Sequence, residues 1–76
     1  MTQTELRIDV RQGEIIVTLP GTRYAVTYYK PANSAQLLAK NFPHKRDDHS
    51  PKSNAEFLAH AWKLANYKAR ELGWIV

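Results

Sequence analysis

Apolar and polar residues alternate from the sixth position: Leu6, Ile8 and Val10 are separated by Arg7, Asp9 and Arg11. A period of two is that of a half-buried β-strand, because successive side chains leave opposite faces of the backbone. Gln12-Gly13 follows, then Glu14-Ile15-Ile16-Val17-Thr18-Leu19. If Gln12-Gly13 is a two-residue hairpin loop, Val10 faces Ile15, Ile8 faces Val17 and Leu6 faces Leu19, while Arg11 faces Glu14. All three apolar pairs then share one face, and this agreement of pattern with register predicts a hairpin. Gln-Gly is a weaker loop signal than Asn-Gly, so a one-residue slip or a bulge is the alternative.

Pro20-Gly21 is a second turn signal. Proline presets φ and glycine accepts the positive φ of a type II turn. Type II geometry suits a two-residue hairpin badly, so a longer loop over Pro20 to Arg23 is expected, with a third strand from Tyr24 to Lys30. Tyr24, Val26 and Tyr28 then join the face of Ile15 and Val17; Ala25, Thr27 and Tyr29 take the other. Pro31 ends the strand. Asn33 or Ser34 can cap a short helix over Ala35 to Asn41, with Leu37, Leu38 and Phe42 as its apolar contacts. Residues 43–52 are polar and bounded by prolines, which predicts an exposed loop.

The last third carries a helix with both ends written in. Ser53 and Glu56 form a capping-box pair, and no Gly or Pro interrupts the chain until Gly73, the expected left-handed stop. At about 100° per residue, Leu58, Ala61, Trp62, Ala65, Ala69 and Leu72 form one apolar stripe flanked by Phe57 and Leu64. Glu56, His60, Lys63, Tyr67 and Arg70 fall opposite, and Lys68 sits at the edge, where its stem can lie on the core. Trp74-Ile75-Val76 would fray unless docked, so the tail is expected to pack on the sheet or pair at its edge. One apolar sheet face and one apolar helix stripe have one economical arrangement. The expected fold is a two-layer α+β domain of order βββα: a three-stranded antiparallel meander on one long C-terminal helix, with a short helix in the connection.

Composition adds bounds. Seventy-six residues make one small domain, and a hydrophobic fraction of 43% is enough for a core. There is no cysteine, so packing alone must hold the fold. The start has no charged leader followed by an apolar stretch, and no apolar run approaches a membrane span. The expectation is a cytoplasmic protein with no membrane association. The net charge of +4 permits nucleic acid or an acidic protein as partner. The charges are interleaved, however: Arg7, Arg11, Arg23 and Lys30 share the front half with Glu5, Asp9 and Glu14, and Lys45-Arg46 runs into Asp47-Asp48.

Candidate chemistry is sparse. His44, Asp47, Asp48 and His49 are residue types that bind metals, but their spacing matches no metal signature and a loop is a poor cage. There is no cysteine nucleophile, Ser53 is explained by its cap, and the three glycines have turn or cap roles rather than a phosphate loop. No catalytic activity, cofactor or metal is expected. Two surfaces remain. The outward sheet face carries Arg7, Arg11, Ile16 and Tyr29, with Arg23 in the adjoining loop. The outward helix face carries His60, Lys63, Tyr67 and Arg70, a hot-spot composition. The expected function is a protein-interaction module, self-associating or bound to a larger partner. The alternative is a nucleic-acid-binding module, in which the arginines of the sheet face meet phosphate or guanine and the tyrosine stacks on bases.

Overall fold

The computed structural model describes residues 6–43 and 53–76. The elements are β1 (Arg7–Arg11), β2 (Glu14–Thr18), β3 (Ala25–Tyr29), β4 (Leu38–Lys40) and α1 (Asn54–Glu71). The strands form one antiparallel sheet in the order β1-β2-β3-β4. The first hairpin has the expected register: Val10 pairs with Ile15, Ile8 with Val17 and Arg11 with Glu14. Its loop residues, Gln12 at φ 42° and Gly13 at φ 81°, are both left-handed, the combination that matches the twist of the flanking strands.

The second connection is also as read. The Thr22 amide donates to the Leu19 carbonyl at 3.2 Å, closing a turn with Pro20 second and Gly21 third at φ 83°. The Thr22 hydroxyl donates to the same carbonyl at 2.8 Å and accepts from the Tyr24 amide at 3.1 Å, which extends the loop to Arg23. The strand that follows is one residue shorter at each end than expected, Ala25–Tyr29, although Tyr24 is buried on the expected face.

The short helix over Ala35 to Asn41 does not form. The Ser34 hydroxyl accepts from the Gln36 amide at 3.1 Å and lies 3.2 Å from the Gln36 carbonyl oxygen. This gives the backbone a turn two residues on in place of a helical one. A helix of that length also lacks the hydrogen bonds to repay its nucleation. Leu38–Lys40 instead pairs with β3, Tyr29 opposite Leu38 and Thr27 opposite Lys40, and satisfies an edge that three strands would have left open. Leu37 points inward and is buried, Leu38 points outward, and Asn41 at φ 55° ends the strand.

Helix α1 begins as expected. The Ser53 hydroxyl accepts from the Glu56 amide at 3.1 Å, and the Glu56 carboxylate accepts from the Ser53 amide at 2.9 Å. It ends in a Schellman motif: Gly73, at φ 81°, donates to Arg70 at 3.1 Å and Trp74 donates to Ala69 at 2.8 Å. The buried stripe is Phe57, Ala61, Ala65 and Ala69, at a spacing of four. Three alanines let the helix backbone sit close on the sheet, and Phe57 stacks on Tyr24 at 5.1 Å between centroids. Together with Ile15, Val17, Leu19, Val26, Tyr28 and Leu37 they make the core, and Leu6, Ile8, Leu58, Trp74 and Ile75 pack around it.

Trp62 and Leu72, both expected in the stripe, are 43% and 41% exposed. The core centres on the Phe57–Ala69 line, which leaves Trp62 at its margin with the ring leaning on Tyr28 at 5.6 Å. Leu72 fails for a different reason. Leu72 is the C-cap residue, past the last helical residue Glu71, and the chain turns back beside it at Gly73. Among the described residues no helix is long and apolar enough to cross a membrane.

Candidate functional site

Two surfaces carry the residues singled out from sequence, and the fold treats them differently. The outer sheet face is a grid set by the register. Asp9, Ile16, Thr27 and Lys40 lie in one row across the four strands, and Arg11, Glu14, Tyr29 and Leu38 in the next. Arg7 lies beyond them opposite Thr18, and Arg23 lies in the β2–β3 loop. The sheet thus brings Arg11, Ile16 and Tyr29 into one neighbourhood.

Most of the charge on this face is matched within it. Arg7 Nε lies 3.6 Å from Asp9 Oδ2. Lys40 Nζ reaches across β3 to form an ion pair with Glu14, and on the way passes 5.4 Å from the centre of the Tyr29 ring. That ammonium covers part of the aromatic face a base would need for stacking. Ile16 and Tyr29 are accordingly half-buried. Arg11 has no ion pair among the described residues and sits beside a shallow hollow with Gln12, Glu14 and Ile16.

The helix side is different. A groove of about 590 Å³ runs between α1, the β3–β4 connection and the C-terminal segment. Helix α1 supplies Trp62, Lys63, Asn66 and Arg70; the connection supplies Ala35 and Gln36; Ile75 and Val76 close the far wall. The Schellman turn at Gly73 makes this wall, because it folds the chain back so that Trp74 and Ile75 rest on the core. The tail docks only that far, and Val76 is fully exposed.

Lys63 and Arg70 lie two turns apart on α1, about 10 Å along the axis. Neither has an ion pair among the described residues. The sequence gives the reason: the positions three and four residues away hold Ala59, His60, Asn66 and Tyr67 for Lys63, and Asn66, Tyr67, Gly73 and Trp74 for Arg70, none of them acidic. Glu71, the nearest helical acid, is held by Lys68 at 2.8 Å. Arg70 also complements the negative end of the helix dipole; Lys63, in mid-helix, has no such role.

Of the four residues expected on the helix face, the fold gathers Lys63 and Arg70 into the groove. His60 is half-buried and Tyr67, 70% exposed, stands on the outward face; neither lines the groove. Trp62, Asn66, Gln36 and Ile75 were missed from sequence. The helical periodicity places Trp62 in the core stripe, and only its position at the edge of the apolar arc hints otherwise. The His44, Asp47, Asp48 and His49 group lies outside the described residues.

The groove is suited to holding a ligand. Trp62 offers an indole fixed on one side by Tyr28, an ammonium and a guanidinium line the same groove, and the amides of Asn66 and Gln36 can orient a polar backbone. Among the described residues that line it none is acidic and none is a serine or cysteine nucleophile. No known protein family, curated protein or solved structure matches this chain.

Proposed function

We propose that the protein is a non-enzymatic protein-interaction module that receives a segment of a partner protein in the groove along α1. The observation that carries this reading is the combination of a half-exposed, anchored Trp62 with two cations that have no ion pair among the described residues. Tryptophan and arginine are enriched among the residues that dominate binding energy at interfaces, the first for its large rigid area and the second for its planar fork of donors. A ring already held by the core loses little further entropy when a partner covers it.

The open sheet face supports binding less well. Four strands at about 4.8 Å and five residues at about 3.4 Å give a flat footprint of about 300 Å². Standard stable interfaces need roughly 800 Å² per partner, so self-association through this face alone would be weak. Its two acids, Asp9 and Glu14, also lower its attraction for phosphate.

Selection of a random 12-residue phage-displayed peptide library on the immobilised protein tests the reading. Peptides that bind wild type and are lost from Trp62→Ala and from Ala35→Tyr support it. Ala35 is exposed, so the tyrosine fills the groove from the loop side without touching the core. An empty selection, or peptides indifferent to both substitutions, would sink it.

A further inference from the structure

Resting on that reading, we infer that the groove takes an acidic peptide with the alternating pattern acid, any, apolar, any, acid. Charge is the first argument. Lys63 and Arg70 have no ion pair among the described residues, and no described lining side chain is acidic, so the side chains of the groove present two positive charges and no negative one. Geometry is the second. An extended peptide advances about 3.4 Å per residue with alternating side chains, so acids at i and i+4 lie about 14 Å apart on one side. Two flexible cationic arms rooted about 10 Å apart reach both. The residue at i+2 faces the same way and meets the apolar surface of Trp62 and Ile75.

Hydrogen bonding favours a peptide backbone over a phosphodiester one. Asn66 Nδ2 donates to the Trp62 carbonyl at 2.8 Å, and only the amide nitrogen can make that bond. Its Oδ1 is therefore left as an acceptor on a residue that lines the groove and lies between Lys63 and Arg70 along the helix. A peptide backbone supplies N–H donors for it, whereas a phosphodiester supplies only acceptors. The aliphatic wall of Ile75 and Val76 is likewise of no use to a phosphate chain.

The library selection decides the matter when its enriched sequences are read for charge. Binding is then measured by fluorescence anisotropy for wild type and for the double variant Lys63→Glu/Arg70→Glu. Both side chains are exposed, and unchanged circular dichroism and melting temperature establish that the variant is folded. Enrichment of the acidic pattern, with affinity falling about tenfold or more in the double variant and falling as salt rises, is the expected result. Neutral or basic peptides that need Trp62 yet ignore the charge reversal would overturn the acidic occupant and leave the interaction reading standing. Peptides indifferent to Trp62 and to Ala35 would overturn the interaction reading itself. A single-stranded oligothymidylate that binds more tightly than any selected peptide, and is lost in the double variant, would assign the groove to nucleic acid and overturn the inference.

Discussion

The outer sheet face and the α1 groove hold similar side chains, arginine or lysine beside an aromatic ring, but they differ in what surrounds most of their cations: on the sheet Arg7 and Lys40 have ion pairs and Arg11 has none among the described residues, whereas in the groove neither cation has one. On the sheet, antiparallel register sets Lys40 diagonally across β3 from Glu14, and Asp9 lies two residues from Arg7 on the same strand and face. On the helix, none of the neighbours of Lys63 and Arg70 three or four residues away is acidic. A cation with a fixed internal partner is part of the fold's own surface. One without a partner still has its electrostatic attraction to offer, which is why the groove is the docking site we propose although it is the less basic in residue count.

The comparison can be strained from several directions. The largest expected effect comes from removing Trp74-Ile75-Val76, which takes away one wall of the groove and two residues packed on the core. A loss of about 3 kcal/mol is expected, seen as a fall of more than ten degrees or so in the melting temperature of so small a domain. The β1–β2 hairpin should show nearly native amide chemical shifts at temperatures where the truncated protein stays folded. An unchanged melting temperature would mean that the tail does not dock.

Alkaline pH probes the floor beneath Trp62. Burial raises the Tyr28 hydroxyl to about 12, against 10.0 in an unfolded chain. The folded state therefore holds this proton more tightly. Its contribution is complete below pH 10 and is lost as pH rises toward 12. The loss is at most on the order of 2–3 kcal/mol, followed by urea unfolding at a series of pH values. Tyr28→Phe should abolish this part of the decline, and a decline equally steep in the phenylalanine variant would assign it to other groups.

The smallest effect belongs to the sheet face. Lys40→Gln should cost less than about 1 kcal/mol, because both side chains of its ion pair are partly in water. The same substitution uncovers Tyr29 and leaves Glu14 uncompensated, so any affinity of this face for DNA should fall rather than rise. A gain in DNA binding by Lys40→Gln would show that the ammonium had been screening a stacking platform.

Much of this architecture is legible in the sequence. The hairpin register followed from period-two alternation around Gln12-Gly13, and both helix ends from Ser53, Glu56 and Gly73, because each feature depends on neighbours close in the chain. The fourth strand was not legible. Leu37-Leu38-Ala39-Lys40 has no decisive periodicity, and what makes it a strand is the unsatisfied edge of β3, a tertiary fact. The exposure of Trp62 was hidden for a similar reason. The helix carries apolar residues over a wide arc, and which part faces the sheet is decided by the three alanines that allow close approach. The groove itself joins Gln36, Trp62 and Ile75, brought together only by folding, while the lack of acids around Lys63 and Arg70 could have been read directly.

The central claim, that binding belongs to the groove and not to the sheet, is tested most directly by one matched titration. Lys63→Glu/Arg70→Glu and Arg7→Glu/Arg11→Glu each replace two positive charges with two negative ones, and each takes the formal net charge from +4 to 0. Any effect of overall charge is therefore the same in both. With a groove-selected acidic peptide followed by anisotropy, the helix pair should lose about tenfold or more in affinity while the sheet pair stays within about twofold of wild type. Equal losses in the two variants, or a loss confined to the sheet pair, would contradict the account.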